Sequence, residues 1–257
     1  RQVKPVIDRA ESMNIARSGR NRNTHRELPL MIRRFLVLYI MTCSAGLHAV
    51  EDNPGAWAVI SASGGVQPGR SQSQWRYWLD AQHRAFDVGS GVTQSLVRPA
   101  IGLDLGPTVS VWAGYAYFTS RGSSGERVDE HRPWQQLSWA AHKNARGSLG
   151  LRLRLEQRFV ESGDDAGWVF RTQVRYAHRL DEAGRWQAVA FIEPFIALNN
   201  TDWGSDRGVA QNRIFAGGAY RITSALSIEF GYMNQHFRLA GEDLVNHLGV
   251  AHLKLRP

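Results

Sequence analysis

No stretch of this chain is long and apolar enough to cross a bilayer as a helix. The longest greasy run, Phe35 to Thr42, falls far short of the roughly 20 residues that a helical span needs. A helical membrane protein is excluded. Cysteine is almost missing too: the single copy, Cys43, leaves everything after residue 49 without a thiol. That suits an oxidising compartment and removes disulfide scaffolds, thiol nucleophiles and cysteine metal sites from consideration. The nine histidines are scattered, without a His-Glu-x-x-His helix, so no metal centre is expected. The 25 glycines build no phosphate loop, because Gly217-Gly218 and Gly89-Ser90-Gly91 fall in strand and hairpin contexts.

Balanced charge is scarce only at the front. The formal net charge is +8, but residues 1–49 hold nine Lys/Arg against three Asp/Glu. The remainder therefore carries only +2, and a nucleic-acid-binding domain is not expected.

What the chain does have is alternation. From Ser148 to Phe159, Leu149, Leu151, Leu153 and Leu155 alternate with Gly150, Arg152, Arg154 and Glu156. A strand of that pattern has one greasy and one charged face. The nine tryptophans recur near the ends of such segments (Trp75, Trp134, Trp168, Trp186) and within them (Trp78, Trp112, Trp139), as the aromatic girdles of a membrane barrel would place them.

The front end is not expected to join the fold. Residues 1–30 show no periodicity and many Arg, and read as a non-native or disordered leader. Residues 31–49 read as a cleaved signal peptide: a basic Met31-Ile-Arg-Arg, an apolar core over 35–42, and Leu47-His48-Ala49 as the cleavage site.

Period-two alternation with turn residues predicts ten strands, at 74–86, 92–105, 109–120, 132–143, 148–160, 168–180, 185–198, 210–222, 226–237 and 244–255. Tight turns at 106–108, 144–147, 181–184 and 223–225 alternate with longer connections at 87–91, 121–131, 161–167, 199–209 and 238–243. The expectation is an all-β, antiparallel up-and-down transmembrane barrel over 74–257. Its tight turns would face the periplasm, and both termini would lie on that side. Residues 50–73, with the strand-like Trp57-Ala-Val-Ile-Ser-Ala-Ser, would be an N-terminal extension, an extra strand of a twelve-stranded barrel, or a plug.

If Leu149 to Leu155 point outward, Arg152, Arg154, Glu156 and Arg158 point into the lumen, and Arg171 and Arg175 follow from the next strand. Their candidate partners are Glu193, Glu229, Asp80 and Asp104, with Arg213 in the same phase. A lumen largely filled by this Arg/Glu network is expected. Tyr115, Tyr117, Ile214, Tyr220, Ile228, Phe230 and Tyr232 fall on the opposite, lipid-facing side. No catalytic residue is assigned. Ser138 and His142 share a strand phase, the arrangement from which a lipid-cutting site would be built. The loop acids Asp164, Asp165, Asp202, Asp206, Glu242 and Asp243 are read as solvated.

Several strings together resemble the bacterial outer-membrane family known as domain of unknown function 2490: Glu130 to Leu137, Arg152 to Phe159, Arg171 to Tyr176, Glu193-Pro-Phe195, Gln211-Asn212-Arg213 and Glu229 to Gln235. The resemblance covers about residues 55–255. It implies a closed, porin-like barrel in the outer membrane of a Gram-negative envelope, with no assigned biochemical role. The functional expectation is a structural or small-permeation barrel, monomeric and without a cofactor. Outer-membrane lipids and, during biogenesis, the barrel-assembly machinery would be its partners. The alternative is an outer-membrane lipid-modifying enzyme acting on phospholipid or lipid A.

Overall fold

The computed structural model describes residues 50–66, 74–86, 90–239 and 243–257. The expected leader and signal peptide, with Cys43, lie outside the described residues. Eleven strands follow in chain order: β1 (Val50–Gly65), β2 (Trp75–Phe86), β3 (Thr93–Asp104), β4 (Val109–Arg121), β5 (Arg127–Lys143), β6 (Gly147–Val160), β7 (Ala166–Arg179), β8 (Trp186–Ala197), β9 (Gly208–Arg221), β10 (Leu226–Phe237) and β11 (Asp243–Leu255). Each pairs with its neighbours in sequence, and β1 closes the barrel against β11. No helix occurs among the described residues.

The expected count of ten strands, or twelve, is corrected to eleven. The segment around Trp57 is neither a plug nor an extension of another strand. It is a full stave, antiparallel to β2 from Gly55↔Phe86 to Gly65↔Arg76 and parallel to β11 from Val50↔Asp243 to Ala62↔Leu255. An odd number of alternating strands leaves the first and last pointing the same way, so the closing pair must be parallel. Parallel ladders are slightly weaker per residue, and here the ladder takes in all of β11 and β1 from Val50 to Ala62.

The odd count also separates the start of β1 from the end of β11. Val50 lies at the end of the barrel that carries the 87–92, 122–126, 161–165, 198–207 and 238–242 connections, called here the Trp203 end. Leu255 lies at the opposite, Pro107 end, with the 105–108, 144–146, 180–185 and 222–225 connections. The expectation that both ends of the domain share one side is thereby overturned. The contrast in connection length is also smaller than expected. Strand β5 begins at Arg127 rather than 132, and the long 66–74 connection sits at the same end as the tight turns.

Short polar side chains close those turns. Asn144 Oδ1 accepts from the amides of Arg146 and Gly147, both at 2.9 Å. Thr223 Oγ1 accepts from those of Ala225 and Leu226 at 3.2 and 3.0 Å. Asp181 Oδ1 accepts from the Trp186 amide at 2.9 Å, while Gly184 takes a φ of +61°. Such side chains replace the missing backbone partner at a reversal.

The two faces are inverted relative to a water-soluble barrel with a greasy core. In β6, Leu153 is 37% exposed while its neighbour Arg154 is 1% exposed. Ile60, Leu79, Val97, Ile101, Leu137, Ile214, Phe230 and Tyr232 likewise stand exposed on the outer face. Apolar side chains also fill part of the lumen, where Trp57, Phe86, Val189, Phe215, Met233 and Leu248 pack together.

Two indoles lie flat against glycines of the neighbouring strand. Trp112 covers its ladder partner Gly102, and Trp134 covers Gly114; a Cβ on Gly114 would stand 2.3 Å from the Trp134 ring. Only glycine admits that approach. The Gly114→Val substitution should displace the indole and cost about 1–3 kcal/mol through overpacking. The check is the urea midpoint of the folded, fast-migrating band on unboiled gels, and an unchanged midpoint would disprove the tight seat.

Candidate functional site: a charged lumen

The lumen is crossed by shared carboxylates. Glu193, on β8, accepts from Arg152 Nη2 at 2.6 Å and from Arg171 at 2.6 and 3.1 Å. Glu156, on β6, accepts from Arg171 at 2.5 Å and Arg154 at 3.3 Å. Arg154 in turn donates twice to Gln136 Oε1, at 2.9 and 2.6 Å. One connected chain therefore runs from Arg152 through Glu193, Arg171, Glu156 and Arg154 to Gln136, and spans four staves from β5 to β8. The backbone supplies the placement, because Arg154 and Arg171 are ladder partners.

Three further groups flank that chain. Glu130 accepts from both Arg132 and Arg158. Glu229 accepts from Arg175 and, at 2.8 Å, from Lys254 Nζ. Asp80 accepts from Arg98 Nη2 at 2.6 Å. Asp104 meets Arg76 at 3.5 Å, with both side chains more than a third exposed.

Guanidinium groups also stack on aromatic faces. Arg84 lies 3.9 Å from the centroid of Trp57, Arg154 4.0 Å from Trp134, Arg171 4.0 Å from Phe195 and Arg132 4.0 Å from Phe118. Each stack adds electrostatic attraction where the ring is largely removed from water.

Of the nine expected network members, Arg152, Arg154, Glu156, Arg158, Arg171, Arg175, Glu193 and Glu229 take part in ion pairs. Arg213 stands apart. Its ladder partner is Glu193, but that carboxylate is turned to Arg152 and Arg171. Sequence reasoning also missed Glu130, Lys254, Arg98, Arg84 and Gln136 as members. Glu130 falls within the expected 121–131 connection but lies in β5, and the alternating phase of β11 points to Lys254.

A cavity of about 740 Å³ enters this lumen from the Pro107 end. The 106–109 turn and Arg256 stand at its mouth, and Arg84, Arg132, Arg171 and Arg213 line its deepest part. Beyond them, toward the Trp203 end, Phe118, Glu130, Val169, Phe195, Gln211, Gln235 and Leu248 are buried.

The other chemical candidates dissolve. The β5–β6 register shifts between Trp139 and His142, which places Ser138 inside and His142 outside. Ser138 accepts from Gln136 and His142 contacts Asn144, so the expected shared phase is not realised. Among the described residues no cluster could hold a metal ion. The loop acid Asp202 does not stand free in solvent. It accepts from the amides of Asp164 and Asp165 at 2.8 and 3.1 Å, and Asp165 accepts in return from the Asp202 amide at 2.9 Å. Trp203 Nε1 donates to the Asp165 carbonyl at 2.8 Å, so the 161–165 and 198–207 connections are clasped together.

The family model for a protein of unknown function, DUF2490, matches residues 55–246, which runs from β1 into β11. The chain belongs to that family. An uncharacterized protein of Methylorubrum extorquens is 32% identical over 166 residues, 63% of this chain and 72% of its own length. A solved structure, the NanC porin in a rhombohedral crystal form, aligns with a TM-score of 0.45 at 16% identity, over 74% of this chain and 91% of that one. The DUF2490 match contains all nine expected network positions, including Arg213.

Glu193→Gln would leave Arg152 and Arg171 sharing a neutral amide inside a buried network. The expected cost is about 3–5 kcal/mol, read from the urea midpoint of the folded band, whereas Arg127→Ala on the exposed rim should stay within about 1 kcal/mol. Equal losses would show that the lumen network is not special. For the loop clasp, backbone hydrogen bonds from Asp164 and Asp165 hold the Asp202 carboxyl below its ordinary value of 3.8. A depressed acid stabilises the fold above its ordinary value, and the effect is lost as pH falls through the folded value. NMR titration should therefore find Asp202 ionising below ordinary aspartates, with the Asp164 amide shifting in step; titration at the ordinary value would refute the clasp.

Proposed function

We propose that the protein is a monomeric, integral outer-membrane β-barrel, exported through a cleaved signal peptide, whose lumen is occluded by its Arg/Glu network. It acts as a structural or small-solute-handling barrel rather than an open pore. One observation carries this reading: the outer face of the strands exposes Ile60, Leu79, Val97, Ile101, Leu137, Leu153, Ile214 and Phe230, while the Arg/Glu network lies inside the barrel. In water such an arrangement would expose a continuous greasy band far larger than the patches soluble monomers tolerate. In a bilayer the same band is the favourable surface, and full closure by the β1–β11 ladder leaves no edge strand with unpaired amides.

The dimensions agree. Every strand has 12 or more residues, above the roughly 9–11 that a tilted strand needs to cross the hydrocarbon. Tryptophans 75, 168 and 186 and Tyr176 stand exposed near strand ends, where interfacial aromatics settle. Outer-membrane lipids are then its permanent partners and the barrel-assembly machinery its transient one.

The full chain folded in detergent should partition with detergent, give a β-type circular dichroism spectrum, and migrate faster unboiled than boiled. In planar bilayers it should stay electrically silent, because the shared carboxylates hold the lumen closed. Partition into buffer would sink the membrane reading. Discrete conductance steps would instead sink the occlusion while leaving the membrane reading intact.

A further inference from the structure

We infer that the inner end of the Pro107 cavity is a binding site for a small organic oxyanion, with its carboxylate or phosphate head held between Arg84 and Arg213. The inference concerns the lumen alone and holds whether or not the barrel sits in a membrane.

Ten cationic side chains line this cavity against five carboxylates. The five acids are all engaged: Asp80 by Arg98, Asp104 by Arg76, Glu156 by Arg171, Glu193 by Arg152 and Arg171, and Glu229 by Arg175 and Lys254. Arg132 is paired with Glu130 and Arg256 stands exposed at the mouth, so the buried surplus is Arg84 and Arg213, which are 6% and 7% exposed. Both lie on the same indole, with their guanidinium carbons 3.9 and 5.0 Å from the Trp57 centroid.

Neither of the two has a carboxylate within ion-pair distance among the described residues. Arg84 donates to Gln94 at 3.2 Å and Gln82 at 2.9 Å, and its Nε is buried without a partner. Arg213 Nε and Nη2 face the side-chain amide of Gln211 at 2.7 and 3.1 Å and that of Gln235 at 3.2 and 3.0 Å, and either amide accepts from them once its oxygen is the atom turned inward. Glutamine amides, the shared Trp57 ring and the more distant faces of Phe118 and Phe195 offset only part of the cost of holding two like charges out of water.

An oxyanion meets that demand chemically. A carboxylate or phosphate accepts paired, charge-assisted hydrogen bonds from guanidinium forks, and does so far better than a halide, which has no two oxygens to match the fork. The volume of about 740 Å³ leaves room for an organic body behind the head. Trp78 and Trp112, packed edge to face at 6.4 Å, supply an apolar wall for that body.

The test titrates the full chain, folded in detergent, with inorganic phosphate, acetate or succinate, each against sodium chloride of equal ionic strength. The readout is the temperature at which the fast-migrating band is lost. The expected result is a saturable rise of roughly 2–4 °C or more for at least one oxyanion and none for chloride. A phosphate-only response assigns a phosphate head, and a carboxylate response an organic acid. Arg84→Gln and Arg213→Gln should each weaken the apparent affinity at least tenfold while leaving the ligand-free midpoint unchanged or higher, because each removes one of two repelling charges. Arg127→Gln, outside the lumen, should respond like the parent.

No saturable rise, an equal rise with chloride, or a parental response from both lumen variants would overturn the site. If one variant fails to fold, the other carries the readout. Failure of both to fold would also overturn the inference, since it would make the two cations structural members whose charge is already matched.

Discussion

The rest of this barrel depends on the sharing of a few buried carboxylates among a larger number of arginines. Glu193 binds Arg152 and Arg171, Glu156 binds Arg171 and Arg154, and Glu130 binds Arg132 and Arg158. A buried ion pair gains little over well-packed hydrocarbon, but losing one member of it is costly. Its main effect is therefore to specify. A slip of one residue in β6 or β7 would turn Arg154 and Arg171 outward and bring Leu153 and Thr172 into the lumen. Both faces would then be wrong at once, which pins the register more strongly than a greasy face alone could.

Closure adds a second constraint. A barrel of eleven staves closes only through a parallel ladder between β1 and β11, which leaves the start of β1 and the end of β11 on opposite sides. Trp57 explains why β1 is worth that geometry. Its indole sits at the junction of the apolar cluster, with Phe86, Phe215, Met233 and Leu248, and of the cationic region, under Arg84 and Arg213. Without β1 the lumen would lose the ring on which two guanidinium groups rest, and β2 and β11 would each expose a bare edge.

Much of this was legible in strict alternation. Leu149 to Leu155 against Arg152, Arg154 and Glu156 placed β6 and its two faces, and the same phase found Arg171, Arg175, Glu193 and Glu229. Legibility failed where the period breaks or where polarity mimics a loop. The first residues of β5, Arg127-Val-Asp-Glu130, are polar on both faces because the strand rises past the greasy band, so they resemble a connection. Asp129 there accepts from Tyr117 and Arg127 on the outer rim, which is strand chemistry without strand hydropathy. The bulge after Trp139 changes which side His142 faces, and no composition signal marks it. Strand number differs for another reason: bacterial membrane barrels are usually even-stranded, which favours ten or twelve, whereas the Trp57 segment adds a single strand.

Arg213 shows the limit of phase as a guide to partners. Alternation put it inside, opposite Glu193, and the ladder does pair those two residues. Yet a carboxylate is captured by the fork that reaches it with the best geometry, and Arg152 and Arg171 both reach Glu193 at 2.6 Å from the other side. Once Glu193 is turned toward them, Arg213 is left with the side-chain amides of Gln211 and Gln235 and two rings. The field inside the lumen follows from such local choices rather than from the net charge of the chain. Acids are satisfied twice over along β5 to β8, and the unmatched positive charge collects against Trp57, at the inner end of the cavity. Unpaired positive charge at that inner end repels a cation and attracts an anion that reaches it from the Pro107 end.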